Sequence, residues 1–147
     1  MRCIRSYFGV ETTELAGRVI DPSYQRQGLG SALLARYIAD VRPERLVTYT
    51  RNAAVIRMLG HVSTQVYPIV SRPDLQQFAL HVATDTTTIE GVTYQLQRYG
   101  EEGLFKGFDP ADRSYDATKI SMKQRFIGLQ SIRSALVVVA DLGEGEV

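Results

Sequence analysis

Cysteine is nearly absent from this sequence, and a group of functions goes with it. Cys3 is the single cysteine, so no internal disulfide can form, and His61 and His81 are too few to build a soft-ligand metal cluster around it. Long apolar runs are missing as well. The longest, Ala135 to Ala140, falls far short of the about 20 residues that a membrane helix needs. Met1 to Val10 contains Arg2 and Arg5 and lacks the apolar stretch of a signal peptide. These absences point to a reducing, cytoplasmic setting with no metal and no membrane partner. Lysine is scarce too: of 17 basic residues 14 are Arg and three are Lys, and Arg is the better fork for phosphate oxygens.

What is present is ordinary for a globular protein. The 147 residues, 44% hydrophobic and 22% charged, suit a single domain over 1–147 with one core. The net charge is +1, but residues 18–57 hold seven Arg against Asp21, Asp40 and Glu44, so the positive charge is gathered in one segment. These Arg are scattered over helix and strand positions instead of forming one stripe, which argues against a nucleic-acid partner. Solvated helix faces are the plain reading for most of them.

Leu15 to Ile20 reads as a strand closed by Asp21-Pro22-Ser23. From Leu29 to Val41 the apolar residues Leu29, Leu33, Leu34, Tyr37, Ile38 and Val41 recur at three and four, which predicts a helix ended by Arg42-Pro43. Leu46 to Thr50 reads as a second strand, and Asn52 stands where a side-chain cap would start a helix over 53–59. A strand, a Gly-rich turn, a helix and a second strand imply parallel pairing of the two strands. Further on, Pro73 and Asp74 open a helical pattern through Leu75, Phe78, Ala79 and Val82, and Val92, Tyr94 and Leu96 alternate as a strand. Residues 101–115 read as a loop, 118–133 as a helix despite Gly128, and Ala135 to Ala140 as a strand covered on both faces. Residues 143–147 form a short acidic tail.

Gln25-Arg26-Gln27-Gly28-Leu29-Gly30 puts two glycines at the junction of strand and helix. Glycines there allow a tight turn with uncovered N–H groups, and the first turn of the helix adds unpaired donors and the positive end of its dipole, a combination suited to a phosphate or pyrophosphate. Two competing readings fail. A P-loop needs Lys and then Ser or Thr after its second glycine, where this chain has Ser31-Ala32. The dinucleotide fingerprint wants a third small residue where Leu33 stands, and glycines directly after the strand.

These residues resemble the GNAT (GCN5-related) N-acetyltransferases. The stretch from Val19 through Leu34 is similar to that family's acetyl-CoA motif, and Thr50-Arg51-Asn52-Ala53-Ala54 to its next strand end and helix start. The motif covers residues 15–60 and leaves 61–142 as a part that would complete the sheet and the substrate side. The resemblance implies an α/β (α+β) fold, a mixed sheet flanked by helices. Three or so strands and two helices usually precede the central strand, and only 14 residues precede Leu15, so part of that N-terminal structure is expected to be lacking. It implies acetyl-CoA as co-substrate, with amides of Arg26, Gln27, Gly28, Leu29, Gly30 and Ser31, after Gln25, on the pyrophosphate. Main chain of Arg18, Val19 and Ile20 would run beside the pantetheine arm, with Asn52 near the cofactor. The implied reaction is direct attack of an acceptor amine on the thioester. The alternative is a non-catalytic or truncated CoA-binding or interaction module, with a partner chain, a second copy among the choices, supplying the missing wall.

The residues that would handle protons are less determined. Glu14 lies where some family members place a general base, and a solvated strand-edge carboxylate is the plain alternative. Tyr67, and similarly Tyr49, would donate to a carbonyl or thiolate, with the edge of the core as the alternative. Asn52 serves equally as a helix cap, and both roles can hold at once. The helix after it has no Tyr to protonate a departing thiolate. His61 and His81 read as structural or solvent-facing, and Cys3 has no placed base.

Overall fold

The computed structural model describes residues 4–7, 9–15, 29–96, 98, 109–114 and 120–143. Among them, seven strands join in one mixed sheet with helices on both faces. The chain opens with a hairpin of β1 (Ile4–Tyr7) and β2 (Val10–Glu14), turned through Gly9 at φ 74, a left-handed conformation that glycine adopts without cost. The strand expected over 15–20 therefore begins earlier, because its pairing with β1 starts at Val10. Leu15 follows it, and 16–20 lie outside the described residues.

Helix α1 (Leu29–Val41) has the bounds that its periodicity predicts. It stops where Arg42 turns left-handed, at φ 53, ahead of Pro43. Leu34 is fully buried, whereas Leu33 faces solvent, 57% exposed. β3 (Arg45–Thr50) then pairs parallel with β2, and Asn52 caps α2 (Ala53–Gly60). After β4 (Gln65–Tyr67) comes α3 (Pro73–Val82), with Pro73 in its first turn, where a missing N–H costs nothing. β5 (Thr86–Ile89) and β6 (Val92–Gln95) form a hairpin through Glu90 and Gly91, at φ 53 and 80. The final strand β7 (Ala135–Asp141) is the centre of the sheet: β3 pairs with one edge, and β4 and β6 share the other.

The core lies in two layers that β7 separates. Leu136, Val138 and Ala140 join Leu34, Leu46 and the apolar side of α2, while Val137 and Val139 join Val47, Tyr67, Leu75 and Phe78 of the α3 side. That is the physical meaning of an uninterrupted apolar run: successive residues point to opposite faces, and both faces are covered.

The helix expected over 118–133 is a correction. Residues 115–119 are outside the described set. The rest is a single α-helical turn, α4 (Met122–Arg125), then an extended Phe126 and a 3-10 turn over Ile127–Gln130. The break falls at Phe126, whose backbone is extended at φ -120 and ψ 92; beyond it a Cβ on Gly128 would stand 2.5 Å from the ring of Tyr94, and the carbonyls of Leu129, Ser131 and Ser134 accept from Arg51. The loop expected over 101–115 contains a 3-10 turn at Pro110–Asp112; 101–108 lie outside the described residues.

Candidate functional site

β2 and β3 run side by side in register Thr12 with Arg45, Thr13 with Leu46 and Glu14 with Val47. The Leu15 N–H still donates to Val47 O at 2.8 Å, and the Thr48 hydroxyl to Leu15 O at 3.4 Å. Beyond this point β3 continues through Tyr49 and Thr50, held from its other edge by β7 up to the pair Thr50 with Leu136. β3 thus extends three residues past its last described partner on the β2 side.

The chain then turns through Arg51 and Asn52. The Asn52 N–H donates to the Thr50 hydroxyl at 3.0 Å, and its side-chain oxygen accepts from Ala54 N–H at 3.0 Å. The cap uses the amide oxygen and leaves the side-chain NH2 of this half-buried residue without a partner among the described residues. α1 is tied to β2 by the 2.8 Å hydrogen bond between the Tyr37 and Thr13 hydroxyls. Its first turn holds Leu29, Gly30 and Ser31, whose N–H groups have no acceptor within the helix. Arg18, Val19, Ile20, Gln25, Arg26, Gln27 and Gly28 lie outside the described residues.

Arg51 is the residue whose part the sequence does not reveal. Its guanidinium is 1% exposed and all five of its N–H donors are engaged. Nε and Nη2 grip the two oxygens of Asp109 at 3.0 and 2.7 Å, Nη2 also donates to Leu129 O at 2.8 Å, and Nη1 donates to Ser131 O and Ser134 O at 2.7 and 2.8 Å. Asp109 accepts in addition from Ala111 N–H and from Lys123, the latter at 3.0 Å. Burial by itself would raise the Asp109 carboxyl, but the bonds from Arg51, Ala111 and Lys123 outweigh it and hold the group at about 2. In sequence Arg51 is one Arg of many, and its partners stand 58 to 83 residues away.

The two residues expected to handle protons are not brought together. Glu14, Val47, Val139 and Tyr67 occupy one cross-strand row, so Glu14 and Tyr67 share a face but stand three strands apart, about 14 Å. Glu14 is half-buried at the end of β2. Tyr67 sits in the core: it is 2% exposed, and its hydroxyl donates to Gly91 O at 2.7 Å and is hydrogen-bonded to the Thr93 hydroxyl at 2.9 Å. Burial pushes its phenol up, against the lowering effect of Thr93, which makes it a poorer acid. Tyr49 is half-buried with the Arg98 guanidinium 4.7 Å from its ring centroid. His61 caps α2 and His81 ends α3, both exposed; Cys3 is outside the described residues. Among the described residues, no three His, Cys, Asp or Glu side chains are grouped to hold a metal ion, and no helix is long and apolar enough to cross a membrane.

Compared with known families, residues 1–61 match the acetyltransferase (GNAT) family. The likeness to that family covers this N-terminal segment, 61 of the 147 residues. No curated protein and no solved structure matches it. The GNAT segment runs from β1 to the C-cap of α2, so it contains Glu14, the start of α1, Thr48, Thr50 and Asn52. Asp109, Lys123 and the carbonyls that hold Arg51 come from beyond it.

Proposed function

We propose that the chain is an N-acetyltransferase that takes acetyl-CoA as donor and an amine as acceptor. The observation that supports this best is the match of residues 1–61 to the acetyltransferase (GNAT) family, a segment that contains the start of α1 and Asn52, whose side-chain NH2 has no partner among the described residues. On this reading the amides from Arg26 to Ser31 bind the pyrophosphate, main chain of Arg18, Val19 and Ile20 runs beside the pantetheine arm, and Asn52 donates to the cofactor. Acetyl-CoA supplies an activated acyl group. The acceptor nitrogen bonds to the thioester carbon, the carbon–sulfur bond breaks, sulfur leaves with the electron pair, and the amine proton passes to a base. On this reading the chain contributes proximity and alignment, and Glu14 takes that proton.

CoA should therefore raise the melting temperature, and Gly28→Asp and Gly30→Asp, each placing a negative charge in the phosphate turn, should abolish the shift. An unchanged response in both variants overturns the proposal. A second reading, a CoA-binding protein without transfer activity, is favoured by one observation: α2 reads AAVIRMLG, with no Tyr to protonate the thiolate, and Tyr67 is locked in the core. Thiol release with a panel of amines separates the two.

A further inference from the structure

Arg51 stands between the two residues that frame the candidate site, Thr50 and Asn52, yet each of its side-chain bonds goes to the C-terminal part of the chain. A guanidinium removed from water and holding one carboxylate and three carbonyls in fixed directions is a rigid anchor. The strap that it grips is pinned a second time, where Gly128 lies against the ring of Tyr94. Tyr94 and Thr50 are the two flanking partners of Leu136, so the Tyr94 pin lies on the row of Thr50, the residue next to Arg51. The turn from β3 into α2 is thereby fixed from below by residues that no GNAT match covers.

We infer that Arg51 is a positioning residue for the CoA site: through Asp109 and the strap over 126–134 it sets where Asn52 and the first turn of α2 stand relative to the start of α1. This rests on the acyl-CoA reading above. The effect on ligand follows from geometry, since a displacement of about 1 Å in a positioning element can cost orders of magnitude in productive alignment.

The test compares Arg51→Lys and Asp109→Asn with Arg72→Ala. Arg72 anchors a separate ion network, to Asp74 at 2.6 Å and Asp141 at 2.7 Å. Asp141 pairs with Arg45 at the opposite end of β3, so breaking this network lowers stability away from the site. Well below each melting temperature, Arg51→Lys and Asp109→Asn should weaken CoA binding about tenfold or more while Arg72→Ala leaves it unchanged. Amide exchange in the ligand-free proteins should quicken at Asn52 to Val55 in the first two and not in the third. Wild-type CoA affinity in a folded Arg51→Lys or Asp109→Asn, or unaltered exchange over Asn52 to Val55, overturns the inference, and Asp109→Asn carries the test if Arg51→Lys does not fold. If the wild-type chain does not bind CoA, the acyl-CoA reading falls. The exchange measurement then still decides whether Arg51 sets the turn.

Discussion

Gly128 lies so close to Tyr94 that a Cβ there would meet three carbons of the ring at 2.5 Å. Tyr94 is 1% exposed and sits among Met122, Leu129 and Leu136, so the ring has nowhere to withdraw without moving β6 or the strap. Gly128→Ala should destabilise the fold by about 1–3 kcal/mol through overpacking. A lowered melting temperature with unchanged secondary structure is the expected result, and an unchanged midpoint would show that the strap stands off the ring.

The Arg51–Asp109 pair makes stability depend on acid in a defined direction. The Asp109 carboxyl is held at about 2 in the folded chain against an ordinary 3.8, so the folded state binds its proton less readily than the unfolded state. Its stabilising contribution, about 2 kcal/mol at most, is complete above pH 3.8 and lost as the pH falls toward 2. Asp109→Asn should flatten the stability profile across that window. Chemical denaturation at a series of acid pH values measures it, and a wild-type slope retained by the variant would contradict the assignment.

Tyr67→Phe separates the core role from a catalytic one. Without the hydroxyl, Gly91 O loses its donor and the Thr93 hydroxyl its neighbour, at a cost of about 1 kcal/mol or somewhat more. The melting temperature should fall while thiol release from acetyl-CoA continues at the wild-type rate. Loss of turnover in a folded Tyr67→Phe would restore the tyrosine to the chemistry.

The parts of the fold legible in the sequence are those whose signal is local. α1 and α2 announce themselves by apolar spacing, by Pro43 and by the Asn52 cap, and β7 by six apolar residues whose two faces both need cover. β4 and β5 escaped notice because three residues around Val66 and a run of threonines gain their strand character from pairing with distant segments; the positive φ of Glu90 and Gly91 marks the only local clue to the β5–β6 hairpin. Residues 118–133 teach something different. Met122, Phe126 and Leu129 are buried, as their spacing suggests, yet the path between them is broken at the extended Phe126. Periodicity reported burial correctly and conformation wrongly. For the site, Asn52 was legible as a cap, while the anchor beside it was not, since nothing near Arg51 in sequence indicates a carboxylate 58 residues on.

Asn52 performs two tasks with two ends of one amide, and a single substitution can divide them. The oxygen caps α2 by accepting from Ala54 N–H; the NH2 is the group proposed to meet the cofactor. Asp keeps an acceptor oxygen of the same reach and is as good a cap, with a favourable charge at a helix N-terminus, but it has no donor and places a negative charge where CoA should lie. Asn52→Asp should therefore leave the melting temperature of the free protein unchanged or slightly raised and remove most of the CoA-induced shift. Asn52→Ala should lower the free protein's stability by about 1 kcal/mol as the cap is lost. Equal CoA response in wild type and Asn52→Asp would mean that the amide is a cap alone, and that the cofactor, if bound, passes it by.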